Sequence, residues 1–221
     1  MDSTLAVVIL AAGKGTRMNN PDMAKVMYTI DDKPIIEYVV DLAVNLESSR
    51  TIVIVGWHKN SVIDYLAKEF NQVVCVGQSP QLGTGHAVMQ AEQELSTFTG
   101  DILVLSGDVP LLSYLTTRAL IDYHRSMKGA ATLLTAVLDD ATGYGRILRD
   151  ADGCVLRIVE HKDARPDQRA LKEINASIYV FDKQRLFEGL RHITPSNAQK
   201  EYYLTDVFQY FWRNNLPVSC C

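Results

Sequence analysis

The feature that most constrains the fold is a repeated alternation of short apolar runs with segments of helical periodicity. Runs with the composition of buried strands occur at residues 5–10, 51–55, 73–76, 101–105 and 131–137. Segments with apolar residues about 3.6 positions apart lie between them. Runs such as TIVIV and DILVL are apolar on both faces, which is typical of strands covered by helices on each side. The pattern predicts an α/β fold with a mostly parallel sheet and right-handed crossovers.

In the last third of the chain, strand-like and helical segments no longer alternate regularly. Two strand-like segments, GRILRD and CVLRIVE, flank the turn signal Asp152-Gly153, which predicts a β-hairpin. The segment EINASIYVF predicts another strand, and short helices are expected at 183–190 and 205–212. No internal repeat or flexible linker interrupts the sequence. We therefore expect a single domain over residues 1–221, with an antiparallel insertion packed at one edge of the sheet.

The composition and net charge of the chain limit the kinds of ligand and cellular location that we expect. The chain is 47% apolar and 22% charged, which is ordinary for a folded globular protein, and its net charge of −4 argues against non-specific nucleic-acid binding. The N-terminal apolar run is too short for a membrane span and lacks the preceding basic residues of a signal peptide. The four cysteines show no metal-binding spacing, and Cys220 and Cys221 lie at an end expected to be frayed. A reduced, cytoplasmic protein is the expectation.

The loop after the first strand predicts an anion site. The sequence VVILAAGKGTRM has Met18 where a dinucleotide fingerprint needs its third glycine, and Gly15 where a Walker A loop needs Ser or Thr. What remains is a strand-to-loop turn with backbone N–H donors beside Lys14 and Arg17. That combination suits a polyphosphate at the carboxyl edge of the sheet. A tight turn with solvated charges is the alternative.

A second strand end supplies a carboxylate. The run LVLSGDVPLL leads an apolar strand into Ser106-Gly107-Asp108 and ends it with Pro110. Because parallel strands deliver their carboxyl ends to one edge of a sheet, Asp108 is expected near the Gly13 loop. A lone carboxylate beside a polyphosphate is a common way to hold Mg²⁺. The alternative is a simple turn or helix cap.

The opening loop, read as L-A-A-G-x-G-T-R-M with Lys25 after it, resembles the signature of the sugar-nucleotide pyrophosphorylases. Six further blocks, in the same order, are similar to the N-acetylglucosamine-1-phosphate uridyltransferase family: GQSPQLGTGHA, LSGDVPLL, TGYGRI, IVEHKDA, EINASI and AQKEYYLTD. The similarity runs from about residue 5 to residue 206. The resemblance implies a Rossmann-like, three-layer α/β/α nucleotidyltransferase fold of the glycosyltransferase-A-like type.

The resemblance also implies a reaction and its catalytic residues. UTP and N-acetylglucosamine 1-phosphate would give pyrophosphate and UDP-N-acetylglucosamine, a cell-wall precursor. The sugar-phosphate oxygen attacks the α-phosphorus in line, so positive charge and positioning supply most of the catalysis. Arg17 would stabilise the leaving pyrophosphate with Lys14 near it, and Lys25 would lie nearer the reacting phosphates. Asp108 would hold the cofactor Mg²⁺.

Substrate contacts follow from the same resemblance. Backbone groups of the first loop would contact uracil and ribose. Of Gln78 and Gln81, Gln78 is the better match for the residue that hydrogen-bonds uracil. A helix start at Gly83 and Thr84 would offer free N–H donors. The nucleotide side comprises Leu10, Ala11, Ala12, Gly13, Gln78, Gln81, Gly83, Thr84, Ser106 and Gly107. On the sugar side, Gly145 would leave room for the hexose and Glu160 and Asn175 would bond its hydroxyls. Asn175 and Tyr203 would lie near the N-acetyl group, and Thr205 would touch the sugar phosphate or cap the next helix.

The chain departs from the family in length. Many members carry a following left-handed β-helix for acetyltransfer and trimerisation, and this sequence has no hexapeptide repeats. We therefore expect neither that activity nor that trimer, but a monomer or weak homo-oligomer. The family's second Mg²⁺ ligand, an asparagine, would fall beyond Cys221, so weaker metal binding is expected. Two alternatives stay open: the same chemistry on another sugar 1-phosphate or nucleotide, and a non-catalytic nucleotide-sugar sensor.

Overall fold

A computed structural model describes residues 4–15 and 22–221 of the chain. Its strands are β1 (Leu5–Ala11), β2 (Thr29–Ile30), β3 (Lys33–Pro34), β4 (Arg50–Val55), β5 (Val73–Gly77), β6 (Asp101–Ser106), β7 (Ala131–Val137), β8 (Gly145–Arg149), β9 (Val155–Val159), β10 (Glu173–Asp182) and β11 (Val218–Cys220). Its α-helices are α1 (Ile35–Asn45), α2 (Lys59–Glu69), α3 (Thr84–Met89), α4 (Tyr114–Met127), α5 (Pro166–Arg169), α6 (Lys183–Leu190) and α7 (Val207–Arg213). Short 3-10 helices lie at Lys25–Met27 and Leu204–Asp206.

The main sheet has the strand order β11-β7-β10-β6-β1-β4-β5. Strands β5, β4, β1 and β6 are parallel neighbours, as the alternating pattern predicts. Strand β10 runs antiparallel between β6 and β7, and β11 is parallel to β7. The predicted α/β fold is confirmed, and its parallel half places the carboxyl ends of β1, β4, β5 and β6 along one edge.

Helices cover both faces of this sheet. Ala6 and Val8 of β1 join an apolar core with residues of α3, α6 and α7, whereas Val7 and Ile9 join a second core with residues of α1, α2 and α4. Because successive strand residues point to opposite faces, a run that is apolar at every position needs a helical layer on each side. The three-layer α/β/α arrangement follows.

The predicted hairpin is present, but its position differs from the expectation. Strands β8 and β9 are antiparallel, and β8 pairs with the interior strand β10 at Asn175 and Gly145. Strand β6 pairs with β10 only from Tyr179 onward, so β8 occupies the space beyond the end of β6. A register shift between Asn175 and Tyr179 separates the two pairings. The hairpin is therefore not attached to an outer strand.

The end of the chain also differs from the expectation. Cys220 lies in β11, and the backbone N–H of Thr135 donates to the carbonyl oxygen of Cys221 at 2.8 Å. The expected frayed terminus is therefore wrong, because pairing with β7 satisfies this backbone. Within the described ranges, no helix is both long enough and apolar enough to cross a membrane.

Candidate functional site

The ends of β1 and β6 bring the first loop and Asp108 together. Leu10 pairs with Ser106 in the parallel register, and the N–H of Gly107 donates to the carbonyl oxygen of Leu10 at 2.9 Å. The ammonium group of Lys25 forms an ion pair with the carboxylate of Asp108. These two side chains are 37% and 33% exposed, so a ligand can reach the pair. The ends of the two strands that precede the Gly13 loop and Asp108 therefore share one edge, as predicted, and Lys25 of the following 3-10 helix pairs with Asp108.

The described part of the loop, up to Gly15, exposes backbone and the side chain of Lys14. Ala11 and Ala12 are buried, whereas Gly13 and Lys14 are exposed, and a Cβ on Gly13 would meet no described atom within 4 Å. The ammonium of Lys14 lies 5.3 Å from the ring centroid of Trp57. Arg17 falls outside the described residues, so its role stays a prediction. Gly13 thus borders open space in which a ligand can approach the backbone closely.

Gln78 and Gln81 follow β5, and Gln81 is the one whose side chain lies near this loop. Gln78 is only 4% exposed, and its Nε2 lies 2.9 Å from the carbonyl oxygen of Gly83, to which it donates, and 3.0 Å from Nδ1 of His86. Burial lowers the pKa of His86, which favours a neutral ring that can accept this bond. A base read through the amide protons of Gln78 would have to replace these contacts. Gln81 extends toward Gly56, beside the carbonyl oxygen of Ala12.

Helix α3 starts at Thr84, as predicted, but its first turn is tied to the segment 202–204. The N–H of Gly85 donates to the carbonyl oxygen of Tyr202 at 2.8 Å, and the hydroxyl of Thr84 accepts from the N–H of Leu204 at 3.0 Å. Gly83 has φ +111°, and a Cβ there would lie 2.7 Å from the carbonyl oxygen of Tyr202. The expectation of free N–H donors at this helix start is therefore wrong for Gly85. These contacts join the nucleotide-side residues to the sugar-side segment.

Four sugar-side residues form one cluster at the hairpin. A Cβ on Gly145 would lie 3.5 Å from both the Cβ of Asn175 and the Oε2 of Glu160. The hydroxyl of Thr205 donates to Oε1 of Glu160 at 3.1 Å. This places Thr205 in the 3-10 helix before α7 rather than as the cap of that helix. The capping alternative is therefore wrong, and the hydroxyl proton of Thr205 is directed to Glu160.

The side chains of Asn175 and Tyr203 are buried, and their polar groups are hydrogen-bonded within the chain. Asn175 is 1% exposed; its amide donates to the hydroxyl of Tyr179 at 2.6 Å and accepts from the N–H of Ser177 at 3.1 Å. Tyr203 is 7% exposed, and its hydroxyl accepts from Gln199 at 2.7 Å. Burial raises the pKa of Tyr203 to about 12, so its hydroxyl stays protonated near neutral pH. Both side chains are fixed by contacts inside the chain.

Glu160 is a buried carboxyl group among the predicted sugar-side residues. Burial raises its pKa above the usual range, and the carboxylates of Asp163 and Asp206 add to the rise, whereas the hydrogen bond from Thr205 lowers it. Glu160, Tyr203 and Thr205 line a cavity of about 480 Å³ that extends toward α7. The carboxylates of Asp163 and Asp206 also line this cavity, so a polar ligand there would meet several hydrogen-bond acceptors.

The donor set around Asp108 fits a divalent cation held by few protein ligands. Among residues 4–15 and 22–221, no group of three or more His, Cys, Asp or Glu side chains is placed to hold a metal ion. Mg²⁺ is commonly bound through one or two carboxylates, with waters and substrate phosphates completing its shell. A single accessible carboxylate at the end of β6 meets that requirement, with Lys25 beside it.

A Thr-His-Asp arrangement elsewhere in the chain is structural. Nδ1 of His124 lies 2.9 Å from the hydroxyl of Thr132, and its Nε2 lies 3.8 Å from Asp101. The spacing resembles a hydrolase triad. However, Thr132 is fully buried and His124 and Asp101 are 3% and 8% exposed, so no substrate can reach the hydroxyl. We assign these side chains to core packing.

The sequence analysis gave Trp57 no place in the site, although its ring contacts the predicted site residue Lys14. Trp57 follows the carboxyl end of β4, next to β1 in the parallel sheet. That position was a usable signal, because side chains just past neighbouring parallel strands share one edge. The bond from Thr205 to Glu160 joins residues 45 positions apart, and no local pattern indicates it.

Comparisons with known proteins agree with this architecture. Residues 6–221 match the family described as nucleotidyl transferase. The bifunctional protein GlmU of Streptococcus equi subsp. zooepidemicus is 47% identical over 204 residues, and that of an Exiguobacterium species is 48% identical over 200 residues. These alignments cover 92% and 90% of this chain. The chain spans 44% of the length of each relative.

Solved structures share the fold at lower identity. A UDP-glucose pyrophosphorylase complexed with UDP-glucose superposes with a TM-score of 0.78 at 19% identity, over 99% of this chain and 90% of its own. A putative glucose-1-phosphate thymidylyltransferase from Bacillus anthracis gives the same score and identity, over 99% and 86%. At this identity the likeness shows the fold alone.

Proposed function

The chain belongs to the nucleotidyl transferase family, and from that premise we propose that it transfers a uridylyl group from UTP to N-acetylglucosamine 1-phosphate. The products are UDP-N-acetylglucosamine and pyrophosphate. The observation that carries the proposal is the Lys25–Asp108 pair beside the glycine loop, at the edge where β1 and β6 end. The identity of 47–48% to two relatives supports it. We further propose that the enzyme is cytoplasmic and is a monomer or a weak homo-oligomer.

In the proposed reaction, an oxygen of the sugar phosphate forms a bond to the α-phosphorus of UTP as the bond to pyrophosphate breaks. The attacking phosphate is already ionised, so no protein base or nucleophile is required. Lys25 would bind the reacting phosphates, and Lys14 and Arg17 would bind the departing pyrophosphate. Fixed positive charge of this kind stabilises the transition state because the charge on the transferred group is redistributed.

Asp108 would hold a Mg²⁺ ion, which when bound supplies charge neutralisation at the phosphate oxygens. Lys25 pairs with Oδ2 of Asp108 in this structure, and the other carboxylate oxygen would hold the ion. The ammonium of Lys25 would then lie beside the phosphates that the ion binds. In this proposal Asp108 binds the cation and Lys25 binds the phosphates.

On the sugar side, the space beside Gly145 would accept the hexose. Oε2 of Glu160 would accept a hydrogen bond from a sugar hydroxyl, while Thr205 holds the other carboxylate oxygen. We assign Thr205 to positioning Glu160. Asn175 and Tyr203 would shape the wall of this space, because their polar groups already bond within the chain.

Replacing Thr205 with valine should move the acidic limb of the pH profile. The hydrogen bond from Thr205 lowers the pKa of Glu160, so its loss raises that pKa further and the carboxylate is lost at a higher pH. At pH 7 we expect kcat/KM for the sugar phosphate to fall roughly 10-fold, from loss of a hydrogen bond to a charged group worth about 1.5 kcal/mol. Steady-state rates between pH 5.5 and 8.5 measure both effects.

Thr205→Ser is the matched control, because serine keeps the hydroxyl and removes one methyl group. Its pH profile should overlay that of the wild-type protein. Identical acidic limbs for Thr205→Val and Thr205→Ser would contradict the positioning role of Thr205. Titration of the sugar phosphate itself is common to all three proteins and cancels in the comparison.

Pyrophosphate release over a panel of substrates tests the function. UTP and dTTP are each combined with N-acetylglucosamine 1-phosphate or glucose 1-phosphate, with and without Mg²⁺. The proposal expects the highest kcat/KM for UTP with N-acetylglucosamine 1-phosphate, and none without the metal. Turnover confined to another sugar phosphate would refute the stated specificity. Binding of UDP-N-acetylglucosamine without turnover at any Mg²⁺ concentration would instead identify a sensor.

A further inference from the structure

We propose that Trp57 is a positioning residue: the face of its indole ring holds the ammonium of Lys14 beside the Gly13 loop, where the polyphosphate of the nucleotide binds. The inference rests on the proposed function only for the identity of that polyphosphate. It assigns a task to a residue that neither the loop signature nor the sugar-side blocks include.

The backbone places Trp57 against the loop. Strand β4 is parallel to β1, with Val55 opposite Ala11, and Trp57 follows two residues later. The N–H of Trp57 donates to the carbonyl oxygen of Ala12 at 3.2 Å. The ring is thus anchored to the same loop that carries Gly13 and Lys14.

Gly56 makes this approach possible. A Cβ at this position would lie 2.7 Å from the carbonyl oxygen of Ala12 and 2.8 Å from Nε2 of Gln81. Real Cβ atoms do not approach a backbone oxygen so closely, so only glycine lets the β4 and β1 loops come into contact here. The close approach brings the Trp57 ring under Lys14.

The Lys14–Trp57 distance is that of a cation–π interaction. The ammonium lies 5.3 Å from the ring centroid, within the limit of about 6 Å for attraction by the ring face. At an exposed site such a contact is worth about 0.5–1 kcal/mol. Lys14 is exposed and would otherwise sample many rotamers. Restricting those rotamers places the positive charge before the phosphates arrive, which lowers the entropic cost of binding them.

The ring acts through its face and not through its N–H. Among the residues that the structure describes, the buried Nε1 of Trp57 has no hydrogen-bond partner. Substitution by another aromatic residue therefore breaks no hydrogen bond of the indole and keeps part of the cation–π attraction. An aliphatic residue of similar bulk removes the attraction entirely.

Kinetic comparison of Trp57→Leu with Trp57→Phe tests the inference. We expect Trp57→Leu to raise the KM for UTP roughly 2- to 5-fold, corresponding to about 0.5–1 kcal/mol, with a smaller rise for Trp57→Phe. The KM for the sugar phosphate should not change. In a Lys14→Gln background, Trp57→Leu should have no further effect. Additive effects, or equal rises in both KM values, would overturn the proposal.

A fluorescence measurement needs no turnover. The chain has two tryptophans, so Trp212→Phe leaves Trp57 as the single tryptophan. Titration with inorganic pyrophosphate at constant pH should change the tryptophan emission, because the bound anion alters the field of the Lys14 ammonium at the Trp57 ring. The same titration of Lys14→Gln should show no change; a change of equal size there would refute the proposal. A Lys14-dependent signal in a protein that catalyses no transfer would uphold the role of Trp57 and refute the proposed function.

Discussion

Replacing Asp108 with asparagine is expected to lower turnover by at least two orders of magnitude while leaving the fold intact. Asparagine keeps the shape of the side chain but removes the charge that pairs with Lys25 and fits a divalent cation. Charge stabilisation of a phosphoryl-transfer transition state contributes several kcal/mol, and about 3 kcal/mol corresponds to two orders of magnitude in rate. The loss should appear in kcat, since the arrangement acts most strongly on the transferring phosphate.

The rate of pyrophosphate release measures this effect. It is determined at saturating substrate concentrations and at Mg²⁺ concentrations that span about a 10-fold range. Asp139→Asn is the matched control, because Asp139 is fully exposed and pairs with Lys172 away from the β1 and β6 strand ends. We expect the control to retain turnover within about twofold, as surface ion pairs contribute little. A folded Asp108→Asn protein with turnover within about fivefold of the wild type would refute the assignment.

The strands buried on both faces were predictable from the sequence. The predicted bounds of β7 and α6 match the structure, and the predicted starts or ends of β1, β4, β5 and β6 differ by at most one residue. Strands β1, β4 and β6 are buried along nearly their whole length, and burial on both faces requires unbroken apolar runs. Helix α3 ends at Met89, and Leu95 beyond it is buried although it lies outside the helix.

Elements that depend on distant partners were not predictable. Helix α4 buries Thr117 and His124 as well as Leu120 and Ile121, so polar residues interrupt its apolar stripe. His124 is accommodated by its contact with Thr132 on β7, which a local pattern does not reveal. Strand β11 is three residues long and is formed by pairing with β7. Tertiary partners decide both elements.

The same distinction applies to the candidate site. Parallel topology alone predicts that Gly13 and Asp108 share an edge, and the Lys25–Asp108 pair agrees. The contacts that orient individual side chains join residues far apart in sequence, such as Thr205 with Glu160 and Lys14 with Trp57. A sequence motif indicates which type of residue occupies a position. The orientation of its side chain depends on the neighbouring strands and loops.

Arg146 is expected to be the largest single contributor to stability near the site. It is 2% exposed, and its guanidinium donates to the carbonyl oxygens of Tyr144, Leu171 and Arg169. The bonds to Leu171 and Arg169 tie the start of β8, and with it Gly145, to the segment before β10, and the bond to Tyr144 fixes the backbone just before β8. Substitution by methionine fills the volume but leaves buried carbonyl oxygens without donors, which we expect to cost about 3 kcal/mol.

Urea and thermal unfolding measure this loss, with an expected fall in Tm of roughly 6–12 °C for a chain of this size. Arg146→Lys should be intermediate, because one ammonium cannot span three carbonyl groups arranged for a planar fork. Arg185→Met serves as the control: Arg185 is exposed and pairs with Glu188, so its removal should cost less than about 1 kcal/mol. Equal losses for Arg146→Met and Arg185→Met would mean that the buried guanidinium adds no net stability. A larger rise in sugar-phosphate KM than in UTP KM for folded Arg146→Lys would further tie this anchor to the position of Gly145.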